Sequence, residues 1–114
     1  MKPNLEIILI YVTCNNRKEA EKIGRHLLVK RLCGCINIFP VMHSIYYWPS
    51  KSNTIEEADE SVLIIKTKKS KYSEIEKEIH KIHHSDTPCI FSIKIDQVNA
   101  KYYQWLVGEI SETA

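Results

Sequence analysis

Arg31–Ser50 reads RLCGCINIFPVMHSIYYWPS, and the fold turns on how this stretch is taken. From Cys35 onward it is rich in good strand formers, among them Ile36, Ile38, Val41, Ile45 and the aromatics Tyr46, Tyr47 and Trp48. Pro40 lies inside the run and has no N–H to give a ladder, so a bulge, bend or edge is expected there. Trp48-Pro49-Ser50-Lys51-Ser52-Asn53 reads as a turn. Beyond it, Thr54–Glu60 is acidic and polar, and Ser61–Thr67 (SVLIIKT) returns as a strand. Two long strands joined by a short polar turn make an antiparallel hairpin.

The flanks place this hairpin in a larger pattern. Leu5–Val12 (LEIILIYV) is a nearly continuous apolar run, as expected of a central strand. Thr13-Cys14-Asn15-Asn16 interrupts it, with Asn15 or Asn16 placed to cap a helix. Over Arg17–Arg31 the apolar Ala20, Ile23, Leu27 and Leu28 recur at helical spacing, and Gly34 is expected to end that helix or open the next strand. Ser70–His84 repeats the amphipathic pattern with Tyr72, Ile75, Ile79 and Ile82. Cys89–Val98 alternates as a strand, and Ala100–Ile110 reads as a short final helix. The order predicts an α+β, ferredoxin-like split β-α-β sandwich over residues 1–114 as a single domain. It would have a four-stranded antiparallel sheet, a long central hairpin and a short C-terminal helix. Two helices cover only one sheet face, so a second chain is the expected cover for the other. The projecting hairpin tip is expected to meet a neighbour as well.

Composition narrows the function classes. In 114 residues, 16 Lys and Arg nearly balance 14 Asp and Glu, and the two signs are interleaved. No nucleic-acid or membrane partner is expected from a net charge of +2. No apolar run nears the roughly 20 residues of a spanning helix. Leu5–Val12 lacks a cationic leader and a small-residue cleavage site, so a cytoplasmic setting with reduced thiols is expected.

Three groups invite chemistry. Cys33-x-Cys35 would place both sulfurs on one face of a strand, but C-x-C is not the zinc-type C-x₂-C spacing, and packing is the simpler reading. His80 and His84 are one helical turn apart, yet no glutamate follows His80 and lysines flank it, so a favourable helix C-terminus explains them. His83, beside the Pro88-Cys89 loop, is open to either reading. With three glycines there is no phosphate-cradling loop, and no serine sits in a nucleophile elbow. Tyr46, Trp48 and Trp105 read as interface anchors. No catalytic set stands out, and no enzyme is expected.

Taken together, these residues resemble the CutA family of divalent-cation tolerance proteins. Arg31-Leu32-Cys33-Gly34-Cys35-Ile36-Asn37-Ile38 matches the family's first motif, followed in register by Pro40, Ser44, Tyr46, Trp48, Glu60 and Ile65-Lys66-Thr67. Val12-Thr13-Cys14 and the closing Tyr102 or Tyr103 with Trp105 extend the likeness over nearly the whole chain. The family's His-Pro-Tyr loop stands here as His83-His84-Ser85-Asp86-Thr87-Pro88-Cys89-Ile90, with Cys89 in place of a frequent glutamate. Pro49 and Ser50 also replace the usual turn residues.

The resemblance implies a non-enzymatic homotrimer tied to divalent metal tolerance, copper in particular, that binds metal or a small ligand in clefts between subunits. On that footing His83 and Cys89 are the expected metal ligands, with Cys14 as a third. Thiolate with imidazole favours copper or zinc. A rival reading is a PII-like signalling trimer in which Arg31, Lys66 and Trp48 line a cleft for an anionic metabolite. A third is a structural hub with only an indirect metal connection.

Overall fold

The computed structural model describes residues 5–112. The 1–114 domain expectation therefore includes residues 1–4 and 113–114, which lie outside the described ones. The elements run β1 (Ile7–Cys14), α1 (Arg17–Val29), β2 (Cys35–Tyr47), β3 (Ile55–Lys68), a 3₁₀ turn (Lys69–Lys71), α2 (Tyr72–Ile82), β4 (Ile90–Lys94) and α3 (Ala100–Glu109). The strands form one antiparallel sheet in the order β2-β3-β1-β4, as a split β-α-β topology requires.

Side-chain alternation divides the sheet into two faces. Ile8, Ile10 and Val12 of β1 lie beside Thr67, Ile65 and Leu63 of β3. They pack with Ala20, Ile23 and Leu27 of α1 and Ile75 and Ile79 of α2 into the main core. The two helices are also clamped by a carboxylate. Glu78 of α2, only 7% exposed, meets His26 at 2.7 Å, Lys30 at 3.3 Å and Lys81 at 2.7 Å. On the opposite face, α3 covers only one end, where Leu106 and Ile110 bury Ile7. Elsewhere that face presents Phe39, Phe91 and Ile93 to solvent, with Tyr11 stacked on Phe91 at 4.9 Å.

Pro40 does disturb the hairpin. Phe39 pairs with Val62 and Met42 with Glu60, so Pro40 and Val41 together oppose Ser61. The Ser61 hydroxyl donates to the Pro40 carbonyl at 2.7 Å. The bulge has a consequence for every residue beyond it. Before it, Asn37 and Phe39 share the face away from α1 and α2; after it, Met42, Ser44 and Tyr46 do.

Several expected boundaries move. The first strand runs two residues further, which makes Cys14 its buried last residue. The helix expected through Arg31 stops at Val29, and the left-handed residue that turns the chain is Arg31 (φ 59°), not Gly34. Gly34 is needed for another reason: a Cβ there would lie 2.7 Å from Leu106 Cδ1 and 3.3 Å from the Leu106 carbonyl oxygen. The acidic Ile55–Glu60 segment belongs to β3, paired with β2 almost to the turn. α2 ends at Ile82, which releases His83 and His84 into the loop. β4 is five residues long, against the ten expected over Cys89–Val98.

Candidate functional site

The C-terminal end of β1, the first turn of α1 and the loop after α2 meet at one place. Asn16 caps α1, its side chain accepting from the Glu19 N–H at 2.9 Å. Glu19 reaches back to accept from the Asn15 N–H at 2.7 Å, completing a reciprocal cap. Its carboxylate also accepts from the His84 N–H at 2.8 Å and meets His84 Nδ1 at 2.9 Å. Burial works to raise the Glu19 carboxyl, but the Asn15 and His84 amides and the neighbouring imidazoles hold it below its ordinary value.

His83 sits inside this arrangement with 2% of its side chain exposed. Its Nε2 lies 2.7 Å from the Thr13 carbonyl oxygen, which only accepts, and the Ser85 N–H points at its Nδ1 from 3.1 Å. These partners assign the proton to Nε2. Cys14 completes the group: a sulfur of Cys14, a carboxylate oxygen of Glu19 and a ring nitrogen of His83 lie within 4.8 Å of one another. Burial first, then the charges of Glu19 and Glu60, push the Cys14 thiol up to about 12. Thiol, imidazole and carboxylate are a donor set for a borderline or soft divalent ion. Binding one displaces the Cys14 proton and one His83 hydrogen bond.

A cleft of about 510 Å³ opens beside this group, between the loop and the hairpin. His83, Pro88 and Cys89 form one wall; Ser44, Tyr46 and Trp48 of the hairpin form the other, with Thr13 and Glu60 between them.

Of the expected ligands, Cys14 and His83 come together with Glu19, which motif reasoning overlooked. The Asn16-x-x-Glu19 capping signature was the available signal. Cys89 is exposed on the cleft wall and lies outside the three-donor group; its carbonyl accepts from the Thr13 N–H at 3.1 Å. Arg31, Lys66 and Trp48 do not share a cleft within the chain. Arg31 pairs with Glu109 at 3.1 Å, and Lys66 Nζ lies 5.7 Å from the centre of the Tyr102 ring. Trp48 faces the His83 cleft, with Tyr46 beside it. Trp105 is on α3, 47% exposed and 5.5 Å from Tyr102. Cys33 is buried in the core with its thiol pushed up to about 12, mainly by that burial, and Cys35 is half-buried on the strand after it.

Residues 8–109 match the family model of the CutA1 divalent ion tolerance protein. The divalent-cation tolerance protein CutA of Archaeoglobus fulgidus is 38% identical over 85% of this chain and 91% of its own length. Its namesake in Thermotoga maritima is 39% identical over 88% of this chain and 95% of its own. The crystal structure of CutA1 from Oryza sativa superposes with a TM-score of 0.90 at 27% identity, covering 96% of this chain and 98% of that one.

Proposed function

The chain belongs to the CutA1 divalent ion tolerance family, and from that premise we propose that it binds a divalent ion, copper or zinc, at Cys14, Glu19 and His83. The observation that carries this reading is the convergence of three donors of different softness within 4.8 Å, in a chain whose family is named for divalent ions. Two of the three are nearly enclosed: Cys14 is fully buried and His83 is 2% exposed at its side chain. An enclosed site admits a small ion and excludes a metabolite. Cys89, on the wall that leads to His83, is the residue to receive the ion first or to add a fourth donor when the loop shifts. The protein acts by holding the ion and not by turning over a substrate. Free thiols at all four cysteines fit a cytoplasmic site of action.

The working unit in this proposal is a homotrimer. Phe39, Phe91 and Ile93 on the open sheet face, and Val41, Ile45 and Tyr47 on the hairpin, are between 46% and 72% exposed. Apolar surface on that scale favours burial against another copy. Within one chain Arg31 pairs with Glu109 and Lys66 lies over the Tyr102 ring, away from Trp48, so the anionic-metabolite reading needs a cleft formed between chains.

Titration of the fully reduced protein with zinc and with copper tests the site. The wild type is expected to take up one ion per chain, and Cys14→Ser and His83→Gln each to weaken binding by about tenfold or more. Equal affinity in wild type and both variants would remove the site.

A further inference from the structure

His84 is the histidine of the loop after α2 that the metal reading leaves without a task. It lies two residues beyond α2, and its ring turns back to the first turn of α1. Glu19 is held there twice by this one residue. The His84 N–H donates to Oε2 at 2.8 Å, and the ring Nδ1 lies 2.9 Å from both carboxylate oxygens. An ionised carboxylate only accepts, so these contacts assign a proton to Nδ1. The ring is itself fixed by stacking on His83, with centroids 4.7 Å apart and planes 24° from parallel. A third anchor, the Asn15 N–H, is 2.7 Å from Oε1. With Oε2 taken by the His84 amide, Oε1 is turned towards the His83 imidazole, 3.8 Å from its Nε2. The Glu19 side chain is only 12% exposed, so these donors replace most of its water.

We infer that His84 is a positioning residue, which holds the Glu19 carboxylate at the metal site and thereby selects a divalent ion over copper(I). Its role rests on the metal site proposed at Cys14, Glu19 and His83, and decides which ions such a site prefers. The Cys14 thiolate and Glu19 together bring two negative charges, which match a divalent ion, and the carboxylate is a hard donor that zinc accepts. Thiolate and imidazole alone bring one negative charge and softer donors, a set that suits copper(I). A glutamate side chain is otherwise free to turn to water, and ordering it beforehand lowers the cost of binding. His84 supplies that order from outside the three-donor group, through Glu19.

Zinc affinity is measured against a chromophoric chelator. Copper(I) affinity is measured anaerobically against bicinchoninate and taken as the binding that Cys14→Ser removes. His84→Ala should weaken zinc by about tenfold and leave copper(I) within about twofold, because only zinc draws on the carboxylate. His84→Asn should restore most of the zinc affinity, since its side-chain N–H can donate to Glu19 in place of Nδ1. In a Glu19→Gln background, which weakens zinc by itself, His84→Ala should have no further effect. A general loosening of the loop would weaken both ions together and is told apart on that ground. No zinc uptake by the wild type would remove the metal site and this role with it. Zinc uptake with undiminished affinity in His84→Ala, equal weakening of zinc and copper(I), or a further loss in the Glu19→Gln background would overturn the role of His84 and leave the metal site standing.

Discussion

Two ionisable residues show how single side chains tie the fold to pH. Glu78 is lowered to about 2 by the Lys81 and His26 hydrogen bonds, with Lys30 adding to them. Its carboxyl titrates at about 4.5 when unfolded, so its stabilisation is complete above that value and is lost as pH falls towards 2. Glu78→Gln should lower the Tm at pH 7 and flatten its fall between 4.5 and 2; an unchanged acid limb in thermal melts would contradict this role. Cys14 and Cys33 act at the other end. Both thiols are raised to about 12 by burial, so stability is full below the ordinary 9.0 and falls between 9.0 and about 12. At this scale the sequence was partly legible. His83 is legible as a candidate from its residue type and Cys14 through the family resemblance, whereas Glu19 lies in a charged helical turn with no motif to single it out as a ligand. Only its cap, closed by Asn15 and Asn16, brings it into the site.

Element ends, more than element types, carry the function. The last strand residue is Cys14 and the first residue past α2 is His83, so a shift of two positions at either end decides what faces the site. Amphipathic spacing identified α2 but not its stop, because its last apolar residue, Ile82, is followed by His83 and His84 with no glycine to end the helix. Nor did the sequence reveal where Tyr46 points. Plain alternation from Ile36 puts Tyr46 under the helices, and the two-residue bulge at Pro40 turns it to the other face. Gly34 reads in sequence as the end of α1 or the opening of the next strand; β2 does open just after it, at Cys35, while Arg31 takes the left-handed conformation that turns the chain. The docking of α3 onto Gly34 is testable. Gly34→Ala should cost about 1–3 kcal/mol in denaturant unfolding by forcing Leu106 aside. Gly108→Ala, exposed on α3 with nothing within 4 Å of the new Cβ, should gain about 0.5–1 kcal/mol instead. Equal effects of the two substitutions would refute the close-approach explanation.

At the scale of the whole molecule, strand order and helix placement were legible from the hairpin, the two amphipathic helices and the split β-α-β order. A long hairpin between two helical segments leaves few antiparallel arrangements that bury both helices. Assembly and ligand were less legible, since an exposed apolar face looks the same in sequence whether it is core or contact. The open face and the hairpin lead us to expect a solution mass of three chains, about 40 kDa from 13.3 kDa each. A monomeric mass at micromolar concentration would rule out the trimer. The central claim, a divalent ion held by Cys14, Glu19 and His83, is tested most directly by X-ray absorption at the zinc edge on protein loaded with one zinc per chain. The account predicts one sulfur neighbour at about 2.3 Å alongside nitrogen and oxygen at about 2.0–2.2 Å. That sulfur should vanish in Cys14→Ser and persist in Cys89→Ser. A shell of nitrogen and oxygen alone in the wild type would contradict it.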